Sequence, residues 1–381
     1  MVERYARLTL IPWWDQDRLR DAKALVVGAG ALGNEIIKNL ALLGVGRIHV
    51  VDMDRIESSN LSRSALFRQS DVGEYKACVV AKHAMSMNPD VQVIPIVGRF
   101  EDHIGLGLLR EMDLVFAGLD SRLARLNVGR ACRLVGKPWI DGAIEALQGI
   151  VRVFGADGPC YECTLNDVDL KLIAKRKSCA LITKEEAEQG KTPTTPTMGS
   201  IVAGFEVQEG IKMLHESRNL NILYGKGFFI NGLTHDSYSI QYTEKAECPT
   251  HERFNRYVSI DVDHLGSLKE FRSAVEQILG NAASISLRRE IVTSGRCIPC
   301  RAEVPLGISP AKWLTMEITC SSCSKPLQPV LAQNLADCEL IMERSLAECG
   351  VPDRDILACV VGDDVVGASL KPASRAMREA A

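Results

Sequence analysis

Two positive side chains, Arg63 and Lys76, stand with Asn60 between two acidic residues, Asp52 and Asp120, in the first third of this sequence. Brought together, groups of these types hold a triphosphate and neutralise the charge that develops as pyrophosphate leaves. A carboxylate among them offers oxygen to a magnesium ion. That is equipment for activating a carboxylate with ATP. A reductase that passes hydride to a nicotinamide needs no such cluster. The competing reading makes Arg63 and Lys76 solvated surface charges.

These residues need a frame. The apolar run 24–27 predicts a buried strand, and Gly28, Gly30 and Gly33 follow it in the spacing GxGxxG. Residues 34–43 predict a helix closed by Gly44, and 47–51 a second strand ending at Asp52. Strand, glycine turn, helix, strand and acid make a βαβ nucleotide fingerprint, against which stands the plainer reading of tight packing. The glycines let backbone approach a phosphate, and the helix start offers N–H groups. Asp52 can accept hydrogen bonds from ribose hydroxyls. Further strands are expected at 91–97, at 114–117 just before Asp120, at 139–140 and at 149–154. Alternation of strand and helix argues a mostly parallel sheet with ligands at its carboxyl ends, where Asp52 and Asp120 fall.

Cysteine is the second chemistry-bearing type, with 13 in the chain. Cys160 and Cys163 form a CxxC, and Cys248 and His251 a CxxH; together they would make a closed Cys3His zinc tetrahedron. A redox role for Cys160 and Cys163 is the alternative. Cys297, Cys300, Cys320 and Cys323 are two CxxC knuckles with zinc-ribbon spacing, a structural site that leaves no position for water. Between the halves of the first site, 165–197 is polar and proline-bearing and reads as a crossover loop. It holds Cys179, preceded by Lys175, Arg176 and Lys177, which favour the thiolate. Cys78, Cys132, Cys338, Cys349 and Cys359 carry no pattern. After the loop, 198–215 predicts an amphipathic helix with Ile201, Phe205, Val207, Ile211 and Leu214 on its apolar face and Glu206 and Glu209 in solvent.

Length and composition bound the rest. A chain of 381 residues suggests two or three domains, and 46% hydrophobic content suffices for packed cores. No apolar run reaches a membrane span, and no signal-peptide pattern opens the chain. A net charge of -3 gives no electrostatic case for nucleic acid. Paired cysteines of this kind read as metal sites in a reducing compartment, here expected to be the cytoplasm.

The stretches DMDRIESSNLSR, FRQSDVGEYKA and AGLDSRLARLNV resemble the adenylation domain of ubiquitin-activating enzymes, which ThiF and MoeB share. The resemblance covers roughly residues 4–251. It implies a Rossmann-like α/β adenylation domain with a mostly parallel sheet and a zinc site. It also implies ATP bound by Gly28, Gly30, Gly33, Asp52, Asp54, Asn60, Arg63 and Lys76, with magnesium on Asp120. Ser64 departs from the glutamine usual after the arginine. Arg7, in a short N-terminal segment, would reach the ATP of a neighbouring subunit in a homodimer, or else cap a surface helix; Trp13 and Trp14 read as core or dimer contact. The catalytic subunit of SUMO-activating enzymes is similar: a PCYEC zinc half, then a lone cysteine that carries the thioester. Cys179 is the corresponding candidate. The activity implied is adenylation of a ubiquitin-like protein's C-terminal glycine, thioester formation, and transfer to a conjugating enzyme. A sulfur-carrier activator is the near alternative; an NAD-dependent oxidoreductase and a non-catalytic partner subunit are further ones. Residues 252–381 are expected to form a small α+β domain around the zinc ribbon, with a helix at 268–279, a strand at 284–293 and a hairpin of 356–361 and 365–370. By position alone it would recruit the conjugating enzyme.

Overall fold

Strand β1 (Lys23–Val27) is buried along its length after Lys23, as suits a strand covered on both faces. It lies between β2 (Arg47–Asp52) and β4 (Leu114–Ala117), parallel to both. β3 (Gln92–Val97) extends the sheet beyond β2, and β5 (Trp139–Glu145) beyond β4, again in parallel. From β5 the chain turns into an antiparallel meander through β6 (Gln148–Phe154), β7 (Lys226–Asn231) and β8 (Ser237–Gln241). The order β3-β2-β1-β4-β5-β6-β7-β8 reverses direction of growth at β1, and such a switch point opens a crevice at the carboxyl ends of the strands. This is a computed structural model, and it describes residues 3–178, 193–281 and 283–373.

Helix α1 (Ala31–Leu43) follows β1 directly. Ile36, Ile37 and Leu40 of this helix are buried in the core with Val26, Ile48 and Val50. Gly44 ends it at φ 78°, its N–H returning to the Ala41 carbonyl at 3.1 Å, a left-handed cap that suits glycine. α2 (Lys76–Met87), α3 (Arg122–Leu134), α4 (Asp167–Ser178) and α5 (Pro196–Leu214) complete the larger helices of this unit. Thr195 caps α5, accepting from the Met198 N–H, and Pro196 takes its first turn.

Two expectations are corrected here. The segment 165–197 is not loop throughout: its first part is α4, and Cys179 lies outside the described residues. The second concerns α5, where Ile201 and Phe205 are 43% and 41% exposed while Glu206 and Glu209 are buried. The helix carries apolar residues around most of its circumference, so periodicity could not say which stripe faces the sheet. The buried stripe runs through Met198, Val202, Ala203, Val207 and Ile211. Glu209 tolerates burial because it accepts from the Leu223 N–H at 3.0 Å and pairs with Lys212.

The chain divides into two compact units. The second takes Glu101–Leu108 together with the chain from Arg253 onward. Its sheet runs β11 (Glu303–Ile308), β10 (Ser284–Arg296), β13 (Ile356–Val361), β14 (Asp364–Leu370), β9 (Arg256–Ile260), with β12 (Gln328–Asn334) also on β10. α6 (Leu268–Leu279) begins in a reciprocal cap between Ser267 and Glu270. Phe271 and Val275 of α6 are buried with Leu287, Leu357 and Val366. No described helix is long and apolar enough to cross a membrane.

Candidate functional site

The glycine turn is closed by contacts that a side chain would prevent. A Cβ on Gly33 would lie 1.9 Å from the Gly28 carbonyl oxygen, and one on Gly28, at φ 95°, would lie 2.6 Å from the Gly118 carbonyl oxygen. Gly30 differs: a Cβ there meets nothing within 4 Å. Gly30 is also the N-cap of α1 and offers no side chain to the helix start. The first N–H groups of a helix have no intrahelical partner and carry positive partial charge. The turn therefore presents donors beside open space, a cradle suited to a phosphate.

Asp52 fastens this turn to the segment after β2. One carboxylate oxygen accepts from the Ala29 N–H at 2.7 Å, the other from the Asp54 N–H at 2.8 Å. Burial pushes its carboxyl above the ordinary value, against the pull of these two N–H groups and of Lys76. Each oxygen keeps a further lone pair for a hydroxyl. Asp54 in turn meets the Lys76 ε-ammonium at 2.8 Å, and its carbonyl accepts from the Lys76 N–H at 2.9 Å. Turn, Asp52, Asp54 and Lys76 thus form one continuous hydrogen-bonded chain.

Asn60 is buried, and its side-chain oxygen accepts from the Glu57 N–H at 3.0 Å. Arg63 lies in the same turn, its guanidinium donating to the Ser59 carbonyl at 2.5 Å. Ser64 is buried, and its carbonyl accepts from the Phe67 N–H. Asp120 is exposed at the end of β4, two residues beyond the Gly118 that abuts Gly28 and Gly33. The structure therefore brings the segments of Asp52, Asp54, Lys76 and Asp120 to the glycine turn. Arg7 lies elsewhere. Tyr5, two residues before it, packs on Gly44 and accepts from Asn88 at 2.7 Å. That is the far end of α1, whose 13 residues span about 20 Å.

Sequence reasoning passed over two supports. Arg125 is buried and donates to the Leu119 carbonyl just before Asp120, to the Gly142 carbonyl at 3.0 Å and to Asp141 at 2.8 Å. Asn34, also buried, sits in the first turn of α1 beside the equally polar Glu35, and nothing in its local run marks it for the interior.

Both cysteine groups assemble. Cys160, Cys163, Cys248 and His251 bring their ligand atoms within 4.8 Å of one another, and so do Cys297, Cys300, Cys320 and Cys323. Sulfur–sulfur distances are 3.5 and 3.7 Å in the first group and 3.3, 3.4 and 3.8 Å in the second. Tetrahedral zinc with bonds of about 2.3 Å requires sulfurs about 3.8 Å apart, so both sets fit the ion. In the first, His251 turns Nε2 to Cys163 while Nδ1 lies 3.2 Å from Glu244, the carboxylate support usual behind a ligating histidine. Glu162, between the two cysteines, is gripped by both Arg130 and Thr250. In the second, each knuckle closes through a left-handed residue, Arg301 at φ 59° and Ser324 at φ 56°. Their N–H groups return to the Cys297 and Cys320 carbonyls.

Comparison with known proteins agrees with this architecture. The sequence model of the ThiF family matches residues 2–250. The chain is 42% identical over 171 residues to the sulfur carrier protein adenylyltransferase of Thermus thermophilus, covering 42% of this chain and 63% of that one. It is 40% identical over 165 residues to the NEDD8-activating enzyme E1 catalytic subunit of Arabidopsis thaliana, covering 39% and 36%. These two matches span less than two thirds of either relative. Over 240 residues it is 30% identical to the SAMP-activating enzyme E1 of Haloferax volcanii, covering 61% and 82%. The crystal structure of E. coli MccB with succinimide shares the fold, with a TM-score of 0.54 at 23% identity over 66% of this chain and 75% of that one.

Proposed function

The chain belongs to the ThiF family, and from that premise we propose that it adenylates the C-terminal glycine carboxylate of a small ubiquitin-like protein. The observation that carries this reading is the hydrogen-bonded chain from the glycine turn through Asp52 and Asp54 to Lys76. It ties one cation and two carboxylates to a phosphate cradle, and hydride transfer would leave the cation without work.

In this reading Gly28, Gly30 and Gly33 receive the nucleotide and Asp52 holds its ribose. Asn60, Arg63 and Lys76 bind the phosphates, and Asp54 keeps Lys76 in place. Asp120 would hold magnesium, which supplies further positive charge at the phosphates. The carrier's carboxylate oxygen attacks the α-phosphorus, the bond to the β-phosphate oxygen breaks, and pyrophosphate leaves. The acyl-adenylate carbonyl is then open to a thiolate. Attack by Cys179 forms the acyl–sulfur bond and expels AMP, and a conjugating enzyme's thiol takes the acyl group next. Arg7, at the far end of α1, suits the nucleotide of a second copy and hence a homodimer. The cysteine groups would hold two structural zinc ions, and the unit around the second would recruit the conjugating enzyme.

A second reading ends at the adenylate and passes it to sulfur chemistry; the 42% identity to a sulfur carrier protein adenylyltransferase favours it. Pyrophosphate exchange with carriers ending in glycine tests both. Exchange is expected with one of them, and its absence with every carrier in MgATP would overturn both. Cys179→Ser separates them: retained exchange with loss of a thiol-sensitive conjugate supports the thioester, and an undiminished conjugate refutes it.

A further inference from the structure

Asn34 is fully buried. Its side-chain amide donates to the Ala29 carbonyl at 2.7 Å and the Gly30 carbonyl at 3.2 Å, and its oxygen accepts from the Leu66 N–H at 2.9 Å. One side chain therefore stitches the glycine turn to the segment that carries Asn60 and Arg63. The other side of the same residue is held too. The Leu66 carbonyl accepts from His83 Nδ1 at 2.5 Å, and His83 belongs to α2, the helix that Lys76 opens. Leu66 and the adjoining Phe67 are themselves buried, so the side chains of Asn34 and His83 supply the partners of the Leu66 N–H and C=O. Asparagine is a weak helix former, and burying an amide costs free energy unless its partners are in place. For packing alone, an apolar residue at position 34 would serve α1 better.

We propose that Asn34 and His83 are positioning residues for Arg63: they clamp the two peptide units that flank the Leu66 Cα between the two helices and so fix the backbone from which Arg63 reaches the nucleotide. The inference rests on the reading of Arg63 as a phosphate-binding group. It differs from a plain stabilising role in one measurable way, because a residue acting through Arg63 loses its effect once the guanidinium is gone.

The test is the affinity of the full chain for a magnesium complex of a non-hydrolysable ATP analogue, by calorimetry. Arg63→Ala is expected to weaken binding about tenfold. Asn34→Leu and His83→Leu are expected to weaken it about five- to tenfold alone and less than about twofold in an Arg63→Ala background. His83→Asn, whose amide nitrogen can donate from the place of Nδ1, is expected to bind within about twofold of the unsubstituted protein. Should Asn34→Leu fail to fold, the His83 variants decide. Full losses that persist without Arg63 overturn the proposal, as does unchanged binding by His83→Leu while Arg63→Ala binds weakly. If the unsubstituted chain binds no analogue, the nucleotide reading itself falls.

Discussion

The Lys76 ε-ammonium meets the Asp54 carboxylate at 2.8 Å, with the lysine side chain 13% exposed and the aspartate 53%. The lysine is mostly covered, but its carboxylate partner is half-exposed, so removing the ammonium leaves no buried unpaired charge and costs about 1 kcal/mol; the substitution tests chemistry more than folding. Lys76→Met is expected to lower the melting temperature by no more than about 4 °C and to weaken MgATP binding about tenfold or more. Unchanged affinity would remove Lys76 from the phosphate site.

Gly30 and Gly33 should separate folding from binding. A methyl at Gly33 collides with backbone 1.9 Å away, whereas one at Gly30 enters open space. Gly33→Ala is expected to destabilise the first unit by several kcal/mol, at the large end of single substitutions. Gly30→Ala is expected to melt as the unsubstituted protein does and yet lose nucleotide affinity. Normal binding by Gly30→Ala would mean that the open space beside the turn is not where the phosphates sit.

The two cysteine groups predict two zinc ions per chain by plasma emission. Cys163→Ser and Cys300→Ser are each expected to reduce this to one. A strong chelator is expected to unfold the ribbon around Cys297, Cys300, Cys320 and Cys323 first, because Cys300 is exposed while the ligands of the first group are buried or nearly so. Structural zinc is worth about 10–16 kcal/mol in small domains, so metal loss should appear as a large fall in melting temperature.

Glu206 predicts a dependence on pH. It is fully buried without a hydrogen-bond partner among the described residues, and burial, with the Asp141 charge second, pushes its carboxyl well above the ordinary 4.5. The folded state thus holds a proton that the unfolded chain releases near pH 4.5. By linkage, stability is whole below that pH and declines as pH rises toward the folded value. Glu206→Gln keeps the shape and cannot ionise. Relative to it, the unsubstituted protein should lose melting temperature progressively between pH 5 and higher pH. A constant difference across that range would mean that Glu206 is not held neutral.

Much of the site was legible in the chain itself. The spacing of Gly28, Gly30 and Gly33 between two apolar runs, and Asp52 at the end of the second, are local patterns whose geometry comes from backbone sterics and strand length. The helix at 268–279 was legible as a local run, and the structure closes its start with the reciprocal cap of Ser267 and Glu270. Pairing Cys160 and Cys163 with Cys248 and His251 rested on residue type, because zinc accepts few ligands. Contacts between distant segments left no local trace. Nothing in the run around Asn34 announces Leu66, and nothing in α5 says that Glu206 and Glu209 turn inward while Ile201 and Phe205 turn out. A helix with apolar residues around most of its circumference has no preferred face until the sheet beneath it supplies one. Residue types and short spacings thus determined which chemical groups the chain offers; the packing of α1, α2 and α5 on the sheet decided which of them come together, because a buried polar group finds its partner only when the segments meet.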